Sequence, residues 1–238
     1  MSLYGTVRKV YTAALPKSLR HALFVITPGP LKRVRAKTIQ AMERGATHEE
    51  MYDADYYAKY VDPGMGESVA AISSSIMERF SPKTVVDVGC GTGLLLVALR
   101  ERGVQVQGME YSQAACRICE ERGLIVYRVD LEKDAIPPMK ADVVVSTEVA
   151  EHLPETCADR FVEVLCGISD AVVITAATPG QGGTDHVNEQ PHAYWVGKFQ
   201  ARGYEYLEAD TLAWRKRWEG AGALSCYYNN VMLFRRAS

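Results

Sequence analysis

The chain has 238 residues, of which 47% are hydrophobic and 24% charged, and its formal net charge is −2. This composition is that of a globular protein, and the length suits one domain with an appendage. No apolar run is long enough to span a bilayer. Six cysteines are scattered along the sequence, and only Cys116 and Cys119 have the spacing of metal ligands, with no second pair to complete a zinc site. We therefore expect reduced thiols and a cytoplasmic protein.

The charge is unevenly distributed along the chain. Residues 1–44 carry nine basic side chains and one acidic one, Glu43, so that the remainder is strongly acidic. We predict a basic helical arm over residues 1–46. The arm could meet an acidic surface, namely the protein's own acidic body, an anionic lipid or a phosphate-bearing substrate, or it could simply be a solvated face.

A second helical segment is predicted over residues 47–83. It begins with a capping box, in which Glu50 follows Thr47 by three residues, and it then carries four tyrosines, Tyr52, Tyr56, Tyr57 and Tyr60. Flat rings with hydroxyl groups can close over a ligand or pack against the body of the protein. We interpret the segment as a lid or cap.

Residues 84–111 form the most informative stretch. A β-branched run, Val85–Val88, predicts a buried strand, and Gly89, Gly91 and Gly93 follow it before a helix that Gly103 ends. A second strand then leads to an acid, Glu110, which can accept hydrogen bonds from ribose hydroxyls. A glycine-rich turn between a strand and a helix allows a ligand to approach the backbone closely.

The spacing of the glycines distinguishes between two kinds of cofactor. A dinucleotide site would have the pattern G-x-G-x-x-G, whereas this chain has D-x-G-x-G-x-G, with Asp87 ahead of the first glycine. This pattern closely resembles motif I of class I S-adenosylmethionine (SAM)-dependent methyltransferases. The resemblance implies that SAM is the cofactor and that the tyrosine-rich segment covers it. The cofactor-binding residues that it implies are Asp87, Gly89, Cys90, Gly91, Gly93, Glu110, Tyr111, Asp130, Leu131, Glu148 and Tyr57.

The remaining elements alternate between strands and helices. We expect strands at 124–129, 141–146 and 171–175, a strand from Tyr204, and a long last strand over 225–235. The basic and aromatic run 214–218 is interpreted as a connection, either partly packed or able to bind an acidic or sugar-containing substrate. The resulting fold class is α/β: a seven-stranded, mostly parallel sheet with an antiparallel last strand, helices on both faces and an N-terminal helical extension. Residues 84–238 would form the SAM-binding domain.

Candidate catalytic groups follow the fourth and fifth strands, whose carboxyl ends should meet the cofactor. His152, His186 and His192 lie in these segments, and a histidine suits the removal of a proton from a hydroxyl group. His186 and His152 are our candidates for the catalytic base. His186 lies in a polar, glycine-rich loop over residues 180–191.

The same residues suggest a metal site as an alternative. If Glu148, Glu151 and His152 share a helical face, two carboxylates and an imidazole could hold Mg²⁺, with His186 as a fourth ligand. This E-x-x-E-H pattern resembles ubiquinone-biosynthesis O-methyltransferases and small-RNA 2′-O-methyltransferases. It is also common in metal-independent relatives, where the histidine packs or acts as a base.

Together, these features predict a SAM-dependent methyltransferase that acts on a hydroxyl of a small molecule or sugar. The histidines fit an oxygen nucleophile, which must lose a proton, better than an amine. One alternative is an RNA 2′-O-methyltransferase, against which the acidic body argues. Another is a non-catalytic SAM-binding or scaffold protein. The sequence does not specify the acceptor or the oligomeric state.

Overall fold

The computed structural model describes Tyr52 and residues 54–237 of the chain. The predicted basic arm and the capping box at residues 47–50 lie outside these residues. The described residues 52–181 and 187–237 belong to one unit, which contains the sheet, and residues 182–186 belong to another. In residues 182–186, Gly182 and Asp185 have left-handed backbone conformations, with φ of 68° and 56°.

The first unit is built on a seven-stranded sheet, as predicted. The strands are β1 Thr84–Val88, β2 Gln105–Glu110, β3 Val126–Arg128, β4 Val143–Thr147, β5 Ala171–Thr175, β6 Tyr204–Tyr206 and β7 Met232–Arg236. Their order in the sheet is β3-β2-β1-β4-β5-β7-β6. Strand β7 is antiparallel to both of its neighbours, and the pairs among β1 to β5 are parallel. The order reverses between β1 and β4, which is where an open α/β sheet places its ligand.

Helices cover both faces of the sheet. They are α1 Ala54–Tyr56, α2 Gly66–Phe80, α3 Leu94–Arg100, α4 Gln113–Glu121, α5 Ala158–Ile168, α6 His192–Gln200, α7 Glu208–Gly220 and α8 Ser225–Asn230. A π-helical turn, Tyr57–Val61, follows α1, and short 3₁₀ turns occupy Ala150–His152 and Glu155–Cys157. None of the helices in the described part of the chain is long and apolar enough to cross a bilayer.

Side chains alternate between the two faces along each strand. On one face, Val86, Val144 and Ile174 pack with α5 and α6. On the other, Val85, Val145 and Leu233 pack with α2, α3 and α7. Because both faces are covered, the central strands are almost entirely apolar, and this explains the continuous valine runs in the sequence.

Two predicted elements are wrong. The expected long strand over 225–235 is a helix, α8, followed by the shorter strand β7. The run 214–218 is not a connection, because it lies on α7, where Trp214 and Trp218 are buried in the core. The Nε1 of Trp218 donates a hydrogen bond to Ser75 Oγ at 2.9 Å.

Cysteine burial agrees with the sequence interpretation. All six cysteines fall in the described part of the chain, and none forms a disulfide. Cys116 and Cys119 lie on α4 and are buried, as expected for small apolar residues on a helix. Ser112 caps this helix by accepting a hydrogen bond from Ala115 N at 3.3 Å.

Candidate active site

The glycine-rich turn after β1 has the backbone that the sequence predicted. Gly89, Gly91 and Gly93 have φ values of 78°, 53° and 76°, in the left-handed region that favours glycine. A Cβ at Gly89 would lie 2.3 Å from Val149 Cγ2, and one at Gly93 would lie 2.3 Å from a methyl group of Leu124. The turn therefore needs glycine for both its conformation and its close packing.

Two acids lie beside this turn. Glu110, at the end of β2, accepts hydrogen bonds from Gly91 N and Ser112 N, each at 2.8 Å. Asp87, on β1, is 2% exposed, and its Oδ1 has no hydrogen-bond partner among the described residues. Burial and the nearby carboxylate of Glu110 raise the pKa of Asp87 to about 7. A buried carboxyl oxygen without a hydrogen-bond partner lowers the stability of the fold unless a ligand supplies the partner.

The tyrosine-rich segment covers the turn. Tyr57 is buried, and a Cβ at Gly91 would lie 3.8 Å from its ring. Burial and Glu110 raise the pKa of Tyr57, which keeps the phenol neutral. The carbonyl of Tyr52 accepts a hydrogen bond from Ser112 Oγ at 2.7 Å. Tyr52 and Tyr57 therefore lie close to the turn and to Ser112, and the role of their segment as a lid stays a prediction.

The end of β4 departs from the predicted geometry. Glu148 has φ of 52°, and only Ala150–His152 form a 3₁₀ turn, so Glu148, Glu151 and His152 do not share one helical face. Glu148 accepts hydrogen bonds from Gln181 Nε2 at 2.8 Å and from Asn230 Nδ2 at 3.2 Å. A left-handed conformation at a non-glycine residue is strained, and such strain is concentrated at functional sites.

Glu151 is fully buried beside Glu148. Neither of its carboxyl oxygens forms a hydrogen bond with any residue that the structure describes. Burial and the carboxylate of Glu148 raise the pKa of Glu151 well above its ordinary value. Its backbone carbonyl accepts hydrogen bonds from Val187 N and Asn188 N, at 2.9 and 3.0 Å. This carboxyl is therefore placed to hold a proton or a cation.

The three candidate histidines have different surroundings. His152 Nδ1 lies 3.1 Å from the hydroxyl of Tyr52. His192 Nδ1 instead lies 3.1 Å from Arg215 Nη2, and burial together with this guanidinium lowers the pKa of His192. His186 belongs to the unit of residues 182–186, where its ring packs against Gly183. Its roles as a base and as a fourth metal ligand therefore stay predictions.

The remaining predicted cofactor residues lie around the ends of β1, β2 and β3. Asp130 accepts a hydrogen bond from Glu132 N and pairs with Lys133 Nζ, both at 2.9 Å. The next carbonyl, that of Leu131, accepts from Arg160 Nε at 2.7 Å, and the Tyr111 carbonyl accepts from Arg128 Nε at 3.2 Å. These contacts fix the backbone, and the contacts of these residues with SAM stay predictions.

Cys90 lies inside the glycine-rich turn, between Gly89 and Gly91. The neighbouring thiol of Cys119 and burial raise the pKa of Cys90 well above its ordinary value. Cys119 Sγ also donates to the carbonyl of Gly91 at 3.2 Å. The thiol of Cys90 is therefore protonated at neutral pH, which suits contact with a ligand rather than nucleophilic chemistry.

Helix α8 supplies site residues that the sequence reasoning missed. Asn230 ends this helix and donates to both Glu148 and Gln181, while its Oδ1 is buried without a described partner. Tyr227 is buried on the same helix, and its hydroxyl donates to Met65 Sδ at 3.5 Å. The pair Asn229-Asn230 is a turn signal that could have ended the predicted strand, since asparagine is rare inside strands.

The comparisons with known proteins identify the family of the chain. Residues 57–217 match the family model described as "Methyltransferase domain". Over 132 residues the chain is 29% identical to a ubiquinone biosynthesis O-methyltransferase of Stutzerimonas stutzeri, covering 52% of each protein. Over 107 residues it is 35% identical to a trans-aconitate 2-methyltransferase of Rhodococcus jostii, covering 44% of this chain and 41% of that protein. The chain thus spans about half or less of the length of these curated relatives.

A solved structure has the same fold. The magnesium protoporphyrin IX methyltransferase of Synechocystis PCC 6803, determined with bound SAM, superposes with a TM-score of 0.56 at 15% identity, over 81% of this chain and 99% of that one. The fold is therefore that of the Rossmann-like methyltransferases. The chain belongs to the methyltransferase domain family.

The residues of the turn fit this cofactor. The Oδ1 of buried Asp87 has no partner among the described residues and can accept a hydrogen bond from the cofactor. Glu110 is held at the end of β2 by Gly91 N and Ser112 N, and its contact with the ribose stays a prediction. When bound, SAM supplies an electrophilic methyl group on a positively charged sulfur, and this charge complements the two carboxylates.

Proposed function

We propose that this methyltransferase methylates a hydroxyl oxygen of a small polar acceptor, and that His152 is the base. The observation that carries the proposal is the contact between His152 Nδ1 and the Tyr52 hydroxyl, 3.1 Å apart, just after β4. When Nδ1–H donates to the phenol oxygen, Nε2 is the ring nitrogen that carries the lone pair and can act as the base. A hydroxyl nucleophile must lose its proton during transfer, whereas a neutral amine already has a lone pair.

The surroundings of His152 support a small polar acceptor. Glu148, Glu151 and Asn230 place polar groups near the end of β4, and Asn230 Oδ1 and both oxygens of Glu151 have no partner in the described part of the chain. A hydroxyl group both donates and accepts hydrogen bonds, so it can donate a hydrogen bond to one of these oxygens. These carboxyl groups disfavour a polyanion, which argues against RNA. The name of the Stutzerimonas relative gives independent support for an oxygen acceptor.

The test uses the full-length chain with radiolabelled SAM and a panel of phenols, catechols, sugars, amines and carboxylic acids. We expect turnover on a hydroxyl compound, and with that compound His152→Gln should lower kcat by about 100-fold or more, the usual contribution of a general base. The affinity for SAM should stay within twofold. Tyr52→Phe should retain an intermediate rate, because the ring of His152 loses its orienting hydroxyl. Turnover on amines alone, or full activity of His152→Gln, would contradict the proposal.

Metal assistance is a second candidate, favoured by the unpaired carboxyl of Glu151. Glu148, Glu151 and His152 could hold Mg²⁺, which would act as a Lewis acid and lower the pKa of a bound hydroxyl. The experiment is a calorimetric titration of Mg²⁺ into the chelator-treated protein. Binding that Glu151→Gln abolishes would support the metal, since amide oxygens are weaker ligands for this ion. An absence of binding heat, together with turnover that a chelator leaves unchanged, would leave His152 as a simple base.

A further inference from the structure

Three residues at the glycine-rich turn and beside it form a closed set of contacts. Thr92 Oγ1 donates to Asp62 Oδ1 at 2.6 Å, and Arg122 Nη2 donates to the other oxygen of Asp62 at 2.9 Å. Arg122 Nη1 completes the triangle by donating to the carbonyl of Thr92 at 2.5 Å. We call Asp62, Thr92 and Arg122 the latch.

Thr92 is the part of the latch that belongs to the cofactor turn. It lies between Gly91 and Gly93, and only 2% of it is exposed. Glycine residues leave a turn free to adopt many conformations. Here the side chain and the carbonyl of Thr92 are both held by partners outside the turn. The latch therefore fixes the conformation of a turn that its glycines alone would leave variable.

Asp62 is the part of the latch that belongs to the covering segment. It directly follows the π-helical turn Tyr57–Val61, whose first residue packs over Gly91. The other end of the segment is tied by the hydrogen bond from Ser112 to the carbonyl of Tyr52. If the Asp62 contacts break, the segment is released at its Asp62 end, directly beside the turn.

Arg122 is the part of the latch that is anchored elsewhere in the fold. It follows α4, and its own carbonyl accepts a hydrogen bond from Arg100 Nη1 at 2.9 Å. The side chains of Asp62 and Arg122 are 26% and 28% exposed, so their ion pair is partly shielded from solvent. Hydrogen bonds between charged groups that are partly shielded are stronger than those of an exposed pair.

We propose that the latch is a positioning device that sets how long the cofactor and its demethylated product stay bound, with Asp62 as its central residue. A closed latch holds both the turn and its cover in place. Release requires the three contacts to open together, so the residence time of an adenosyl ligand depends on them. This role concerns cofactor exchange and does not depend on the nature of the methyl acceptor.

The test is surface plasmon resonance with the full-length chain and S-adenosylhomocysteine as the probe. Asp62→Asn and Arg122→Gln should each raise the dissociation rate at least fivefold. The double variant Asp62→Asn/Arg122→Gln should dissociate no faster than the faster single variant, because both changes open the same latch. The charge-reversed pair Asp62→Arg/Arg122→Asp should recover a slower dissociation than Asp62→Arg alone.

The control is another acid–arginine pair, Asp159 on α5 and Arg202 just after α6, whose charged groups are 3.1 Å apart. Asp159→Asn and Arg202→Gln should leave the dissociation rate unchanged. A merely structural role would lower the melting temperature without changing the dissociation rate. Dissociation rates of Asp62→Asn and Arg122→Gln within twofold of the native rate, or increases that multiply in the double variant, would overturn the proposal. Arg122→Lys provides the same measurement if Asp62→Asn does not fold.

Discussion

The affinity for SAM should increase with pH through the neutral range because of Asp87. Burial and Glu110 raise the pKa of this carboxyl to about 7 in the ligand-free protein, and a cationic cofactor favours its ionised form. With that pKa, about one tenth of the Asp87 side chains are ionised at pH 6 and about three quarters at pH 7.5. The dissociation constant for SAM should therefore fall about eightfold between these values. Asp87→Asn should bind SAM more weakly at pH 7.5 and show no such dependence.

Calorimetric titration measures both the affinity and the proton exchange. Titrations in two buffers with different ionisation enthalpies should show the release of about 0.9 proton per SAM at pH 6 and about 0.2 at pH 7.5. The titrations stop at pH 7.5 because the α-amino group of SAM itself titrates near pH 8. Glu151→Gln is the control, because the pKa of Glu151 is also raised by burial. A native affinity that is flat with pH, or a dependence that Glu151→Gln abolishes and Asp87→Asn keeps, would refute the reasoning.

The same pKa shift predicts the pH dependence of the ligand-free protein. Folded Asp87 keeps its proton between about pH 4 and 7, whereas the unfolded chain has lost it in that range. The contribution of Asp87 to stability is therefore complete below about pH 4 and is lost as the pH rises through 7. The melting temperatures of the native protein and of Asp87→Asn, measured without SAM, should therefore change differently with pH over this range.

Two substitutions test the packing of the site and of the core. Gly89→Ala should weaken SAM binding by at least tenfold in calorimetry, because its Cβ would meet Val149 and its φ of 78° disfavours alanine; an unchanged affinity would show that the turn can relax. Trp218→Ala should lower the free energy of unfolding by roughly 3–5 kcal/mol, since the indole is fully buried and bonded to Ser75. Chemical denaturation measures this loss, and Leu212→Ala, at a residue of the same helix that is 49% exposed, is the control; equal losses in both variants would contradict the burial argument.

The seven strands of the sheet and the glycine-rich turn could be predicted because their signals are local. The valine run indicates a strand, and the three glycines at alternate positions indicate a turn. The acid marks the end of the next strand. The structure confirms the seven strands and the antiparallel β7. It also places Asp87 and Glu110 beside the same turn, 23 residues apart in sequence, because β1 and β2 are parallel neighbours.

Helix α8 could not be predicted in the same way because its conformation depends on tertiary contacts. Cys226, Tyr227 and Tyr228 have side chains that favour strands, and only the short turn signal Asn229-Asn230 separates them from the apolar strand β7. In the fold they pack with Trp214 and Trp218 on one face of the sheet, and this packing outweighs local propensity. The error matters for the site, because Asn230 reaches Glu148 only from the end of a helix.

The metal hypothesis shows why a short motif cannot specify a geometry. The sequence E-x-x-E-H predicts a shared helical face only if its five residues are helical, and Glu148 has a left-handed backbone instead. Its carboxylate is nevertheless close enough to raise the pKa of Glu151, because the turn brings the two acids together by another path. The chemistry that the motif suggests therefore depends on Gln181 and Asn230, which hold Glu148 and lie outside the motif.

The carboxyl groups at the ends of β1, β2 and β4 make the site favour a cationic ligand. Burial, together with a second acid, raises the pKa of Asp87 and of Glu151; the second acid is Glu110 for Asp87 and Glu148 for Glu151. Paired buried acids oppose ionisation in the ligand-free protein, and a cation relieves both members of a pair at once. Methyl transfer removes the positive charge of the sulfur, so the acids stabilise the product less than the cofactor. This loss of charge favours exchange of the product, while the contacts of Asp62 with Thr92 and Arg122 oppose it sterically.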